Sequence, residues 1–145
     1  DTFVLPKEQI IKDIAVVPGT DGKKMSKSYG NTIPLFGTRE EIQKAVMGIV
    51  TDSKAESPEN VYNIHRLFRS GESLATLYKE NKGKYKVLKD TLIEDIEAVV
   101  APMRQKRASI SDADVKDILK DGGEKARERA EAKMKDVRQK IGVSI

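Results

Sequence analysis

Lys23, Lys24 and Lys27 fall within five residues, with Ser26 and Ser28 among them and Gly19, Gly22 and Gly30 around them. A lysine ammonium carries a compact positive charge on a long, mobile stem. Serine hydroxyls and exposed backbone N–H groups donate to phosphate oxygens, and glycine lets a backbone turn tightly and approach a ligand closely. The stretch from Pro18 to Asn31 therefore reads as a cationic, phosphate-contacting loop. The same residues also suit a solvated turn that happens to be rich in lysine, and composition alone leaves both readings open.

The other chemistry is sparse. The chain has 145 residues with one histidine and no cysteine. That excludes a disulfide scaffold, a thiolate metal site and a two-histidine acid–base pair, so no metal site is expected from its residues. His65 reads as a partly exposed residue of a helix. Arg104, Lys106 and Arg107 form a basic cluster, and further lysines and arginines stud the chain to its end. Many of these stand four residues from an acid, as in Glu131 and Lys135 or Asp136 and Lys140, which is the pattern of a solvated helix face. The formal charge of +4, from 27 Lys+Arg against 23 Asp+Glu, permits contact with a polyanion without demanding it. No apolar run approaches the roughly 18 residues of a membrane span, and no secretory leader opens the sequence. The first residue is Asp1, and the chain is expected to be cut from a longer protein.

Amphipathic helices must position these residues. Ile14-Ala15-Val16-Val17, a short β-branched run before Pro18-Gly19, predicts one strand. Thr38 and Glu41 have capping-box spacing, and Ile42, Ala45, Val46 and Ile49 follow as one stripe. Thr51-Asp52-Ser53 is expected to end that helix, with a polar loop through Glu56. Ser57-Pro58 predicts a helix start with proline at its first position, Val61, Ile64, Leu67 and Phe68 face inward, and Gly71 is expected to close that helix. A short helix is predicted over 72–81 with Leu74, Leu77 and Tyr78 inward, broken by Gly83. The longest is predicted over 84–107 with Leu88, Leu92, Ile96, Val99 and Met103 inward, thinned or kinked by Pro102. Ser111 and Asp114 cap a helix carrying Val115, Ile118 and Leu119. Gly122-Gly123 is expected to end it, before a last helix with Ala126, Ala130, Met134, Val137 and Ile141 on one face. The fold class is mostly α: a helical bundle preceded by a short strand and the lysine-rich loop.

Lys24-Met25-Ser26-Lys27-Ser28 matches at all five positions the second signature of class I aminoacyl-tRNA synthetases. The run from Val17 to Lys23, the exit from Tyr29 to Phe36, and Asp121-Gly122-Gly123-Glu124-Lys125-Ala126 before a basic helix resemble the tryptophanyl-tRNA synthetases. The resemblance implies that residues 1–36 are the C-terminal edge of a Rossmann-type catalytic domain and residues 37–145 a helical tRNA anticodon-binding domain. It implies ATP contact by Lys24, Met25, Ser26, Lys27 and Ser28, with Lys24 and Lys27 catalytic through the leaving pyrophosphate. Met25 packs rather than reacts, and Lys23 is surface charge only. Gly19, Gly22 and Gly30 would act as loop hinges, and Arg104, Lys106 and Arg107 would touch tRNA. The full-length protein would use ATP and Mg²⁺, tryptophan and tRNA(Trp), act in the cytoplasm, and form a homodimer through the catalytic half. His65 cannot supply the family's first, histidine-pair signature, and the tryptophan pocket is not in the chain, so the chain alone is expected to be inactive. A tyrosyl-tRNA synthetase and a non-enzymatic helical RNA-binding module remain the alternatives.

Overall fold

A computed structural model describes residues 2–51, 57–69 and 71–143. Five α-helices account for most of it: α1 (Arg39–Met47), α2 (Glu59–His65), α3 (Gly71–Glu80), α4 (Tyr85–Ala108) and α5 (Asp112–Lys140). None is long and apolar enough to cross a membrane, among the described residues. The chain divides into two compact units, one being Ile10–Gln105 and the other the residues on either side of it.

In the unit Ile10–Gln105, α1 starts as its residues dictate. The Thr38 side chain accepts from the Glu41 N–H while the Glu41 carboxylate accepts from the Thr38 N–H, satisfying two end groups that water would otherwise have to serve. Ile42, Val46 and Ile49 then pack with Val61 and Ile64 of α2 and with Leu92, Ile93, Ile96 and Val100 of α4. A second cluster joins Leu74 and Tyr78 of α3 to Leu88 of α4. The buried Lys89 ammonium of α4 donates to the Met47 and Ile49 carbonyls, both at 2.9 Å. It closes the C-terminal end of α1, where carbonyls lack helical partners and a cation is favoured.

Several expectations need correction. No strand forms at Ile14–Val17 among the described residues. Lys12–Ile14 is a single 3₁₀ turn, and the pairing nearby is one isolated antiparallel bridge, Pro18 to Lys24. A strand needs neighbours to take up its N–H and C=O groups, and no second strand stands beside this one. Pro58 is the N-cap of α2 rather than its first residue, and it makes no side-chain cap. α2 ends at His65, and Gly71, at φ +66°, opens α3 instead of closing α2. The inward face of α4 ends on Val100, while Val99 and Met103 are nearly half exposed. Leu92, Ile96 and Val100 keep one line at steps of four, whereas the step of three to Val99 turns off the contact. The loop expected at residues 52–56 lies outside the described residues.

In the other unit, α5 is one helix of 29 residues running straight through Gly122 and Gly123. Glycine weakens a helix interior by roughly 1 kcal/mol against alanine but does not forbid it, and no turn residue follows the pair to redirect the chain. Ser111 and Asp114 form the expected capping box. The apolar stripe of α5 is present but largely exposed, with Val137 half-buried. None of its residues is buried, and Ile118 and Leu119 are each 68% exposed.

Candidate phosphate-binding loop

The lysine-rich stretch is a pinned turn. Its two arms meet at the Pro18–Lys24 bridge, where the Met25 N–H donates to the Val17 carbonyl at 2.8 Å and the Gly19 N–H to the Lys23 carbonyl at 2.6 Å. The Thr20 N–H donates to the Asn31 carbonyl at 2.9 Å, and the Thr20 carbonyl accepts from the Val50 N–H at 2.8 Å. The Asn60 amide donates to the Val50 carbonyl. The turn is thus tied to the chain leaving α1 and to the first residues of α2.

Inside the turn sits one amide. Asn31 is 3% exposed. Its Nδ2 donates to Asp21 Oδ1 at 2.7 Å and to the Lys24 carbonyl at 3.1 Å, and its Oδ1 accepts from the Ser26 N–H at 2.8 Å. Asp21 Oδ1 also accepts from the Lys23 N–H at 3.0 Å. The Asn31 hydrogen bond holds the Asp21 carboxyl below its ordinary range, against a smaller desolvation effect. Ser26 caps a 3₁₀ turn over Lys27–Tyr29 that ends on Gly30 at φ +66°, a left-handed position that favours glycine. The Ser26 and Ser28 hydroxyls are 2.8 Å apart, one donating to the other.

Of the residues expected to contact ATP, Lys24, Lys27 and Ser28 are exposed, while Met25 and Ser26 are half-buried. Among the described residues Lys24 and Lys27 make no ion pair. A short, locked backbone thus carries two exposed ammonium groups and a pair of hydroxyls within one tight turn. Such an arrangement suits an anion, by charge and by directed donors together. Gly19 has a packing reason to be glycine. It is buried, and a Cβ there would collide with the Asn31 carboxamide and stand 2.9 Å from the Asn31 carbonyl oxygen.

The basic cluster is not one kind of residue. Arg104 is bound to Glu97 through its two terminal guanidinium nitrogens, at 2.8 and 3.3 Å, whereas Lys106 and Arg107 are exposed. His65 is fully buried rather than partly exposed. Its Nε2 lies 2.7 Å from Asp95 Oδ2 and its Nδ1 3.2 Å from the Tyr78 hydroxyl. A carboxylate only accepts, so Nε2 carries the proton and Nδ1 accepts from Tyr78. Arg69 clamps both oxygens of the same Asp95 at 2.7 Å. Burial pushes the His65 pKa down, against the opposing pull of Asp95. The network joins α2, α3 and α4 far from the lysine loop in sequence and supplies no acid–base pair to it.

The family model for tRNA synthetases class I (W and Y) matches residues 2–120. The chain belongs to that family. It is 41% identical to the tryptophan–tRNA ligase of Rhodopirellula baltica, across 99% of this chain and 48% of that protein. It is 39% identical to the tryptophan–tRNA ligase of Fusobacterium nucleatum, across 97% of this chain and 46% of that one. A crystal structure of the tryptophanyl-tRNA synthetase from Campylobacter jejuni, complexed with ADP and tryptophan, superimposes with a TM-score of 0.80 at 35% identity, covering 97% of this chain and 48% of the other. This class I synthetase chain spans about half the length of the curated relatives it matches. Residue types and spacing pointed to the lysines and serines of its loop but not to Asn31, Asp21 or Asn60. The available signal was a pair of short polar side chains, Asp21 and Asn31, ten residues apart across a glycine-rich turn.

Proposed function

We propose that the protein carrying this chain activates tryptophan with ATP and transfers it to tRNA(Trp), and that this chain supplies the pyrophosphate-contacting loop and a tRNA-binding helical part. The observation that carries the reading is the pinned turn that leaves Lys24 and Lys27 in solvent, without ion partners among the described residues. In the reaction a tryptophan carboxylate oxygen attacks the α-phosphorus, a new P–O bond forms, and the bond to the bridging oxygen breaks as pyrophosphate leaves with the electron pair. Negative charge grows on that leaving group. Ammonium groups that meet it as it develops lower the barrier more than they tighten substrate binding. The Ser26 and Ser28 hydroxyls orient the phosphate oxygens. The exposed ammonium groups of Lys24 and Lys27 fit phosphate and repel a metal. Mg²⁺, which neutralises phosphate charge when bound, would accordingly be held by the nucleotide's oxygens rather than by this loop.

Residues 1–36 then belong to the catalytic function and residues 37–145 to tRNA binding, with the exposed Lys106 better placed for contact than the Glu97-bound Arg104. Tryptophan is favoured over tyrosine by the names of the relatives. Action in the cytoplasm and a homodimer made through the other half of the protein belong to the same proposal. The test is tryptophan-dependent ATP–pyrophosphate exchange by the whole protein. Lys27→Ala should slow adenylate formation about a hundredfold, the loss typical of one charge-assisted donor on a developing anion, with the tryptophan KM little changed. Lys23→Ala should cost far less. Equal losses from the two variants would show that the loop acts only as diffuse charge. Exchange by the 145-residue chain alone would contradict the division of labour.

A further inference from the structure

Lysine stems are long and rotatable, so their reach is set by the backbone from which they start. In this turn that backbone is gripped by a single side chain. We propose that Asn31 is the positioning residue of the loop, holding Asp21, Lys24 and Ser26 so that Lys24 and Lys27 are aimed at the same place. The inference rests on the phosphate role proposed above and names the group that aims it.

Asn31 is almost wholly buried, and both its amide protons and its carbonyl oxygen are engaged, with the Asp21 carboxylate, the Lys24 carbonyl and the Ser26 N–H. The last two contacts bracket Met25, so the backbone around Lys24 cannot rotate without breaking one of them. Ser26 is also the residue from which the Lys27 turn starts, so the grip reaches the second lysine through one peptide. The Asn31 carbonyl accepts from Thr20, and the Thr20 carbonyl from Val50, which anchors the clamp to the end of α1. The missing side chain of Gly19 makes the room for it. Asn31 is buried and its side-chain polar atoms are all engaged within the turn, so it acts through the lysines rather than on phosphate.

The experiment measures single-turnover adenylate formation by the whole protein as wild type, Asn31→Ala, Lys27→Ala and the double variant. Asn31→Ala should slow the chemical step about thirtyfold, because reacting groups displaced by an ångström lose rate on this order, and should leave the tryptophan KM within about twofold. In the Lys27→Ala background the same substitution should cost only about threefold, since the principal group it aims is gone. Asn31→Asp keeps the acceptor for Ser26 but sets an oxygen against Asp21 and the Lys24 carbonyl, and should be as slow as Asn31→Ala. Adding Asp21→Asn to it returns a donor to the pair and should recover part of the rate. A loss of the same factor with and without Lys27, or an Asn31→Ala rate equal to wild type, overturns the positioning role. A Lys27→Ala protein as fast as wild type instead refutes the phosphate reading itself, and it does so before any Asn31 variant is compared.

Discussion

Replacing glycine by alanine should have opposite consequences at two places in this chain, and the structure supplies the sizes. At Gly19 the new methyl would overlap the Asn31 carboxamide and press on its carbonyl oxygen at 2.9 Å. Asn31 must move, and the bonds it makes to Lys24, Ser26 and Asp21 cannot all survive. Two or three hydrogen bonds lost at about 1 kcal/mol each come to roughly 2–3 kcal/mol. At Gly122 no atom lies within 4 Å of the added carbon, the residue is exposed, and the surrounding chain is helical. There alanine should stabilise α5 by about 1 kcal/mol. Gly30 separates the causes. It too has open space, but its φ of +66° makes alanine cost about 1–2 kcal/mol through backbone strain alone. Native-state amide exchange reads these local free energies. The Ser26 N–H, bonded to Asn31 Oδ1, should exchange roughly 30- to 150-fold faster in Gly19→Ala, as 2–3 kcal/mol requires at about 1.4 kcal/mol per decade. It should be unaffected in Gly122→Ala. Unchanged protection of Ser26 in Gly19→Ala would refute the idea that the empty site at Gly19 exists to seat Asn31.

His65 makes a pH prediction whose sign is fixed by its surroundings. Burial sets its folded pKa below the ordinary 6.5, so the unfolded chain takes up the proton first. The stability it contributes is complete above about pH 6.5 and is lost as the pH falls below that value. The carboxyl of Asp95, held below its ordinary 3.8 chiefly by Arg69, adds nothing to the change until lower pH. His65 is the only histidine, so urea midpoints at pH 7.5 and pH 5 should differ in the wild type and differ much less in His65→Gln. An equal drop in both would assign the pH dependence elsewhere. Arg104→Ala should destabilise the helices, because it strands the nearly buried Glu97. It should weaken tRNA binding less than Lys106→Ala and Arg107→Ala together, as filter binding at fixed salt would show. A larger tRNA loss from Arg104→Ala would mean that its pair with Glu97 opens to the nucleic acid.

What could be read from the sequence were features whose partners are close along the chain. Thr38 with Glu41 and Ser111 with Asp114 close their boxes within one helical turn, so the two cap residues suffice to specify them. The lysines and serines from Lys23 to Ser28 announce anion chemistry because side-chain type and order are local properties. Ile42, Val46, Val61, Ile64, Leu74 and Leu92 reveal their faces by helical spacing alone. The tertiary structure decided whatever depends on which element arrives opposite. Val100 is buried and Val99 is not because α1 and α2 meet one line of α4. His65 is hidden because Asp95, thirty residues on, offers it an acceptor. The stripe on α5 predicts an apolar face but not what covers it. The strand expected at Ile14–Val17 is absent because a strand is defined by neighbours, and those cannot be inferred from its own residues. Asn31 belongs to the same class. A short amide looks the same in any loop, and it becomes the centre of this one only when the turn closes and brings Asp21, Lys24 and Ser26 within hydrogen-bond reach of one side chain.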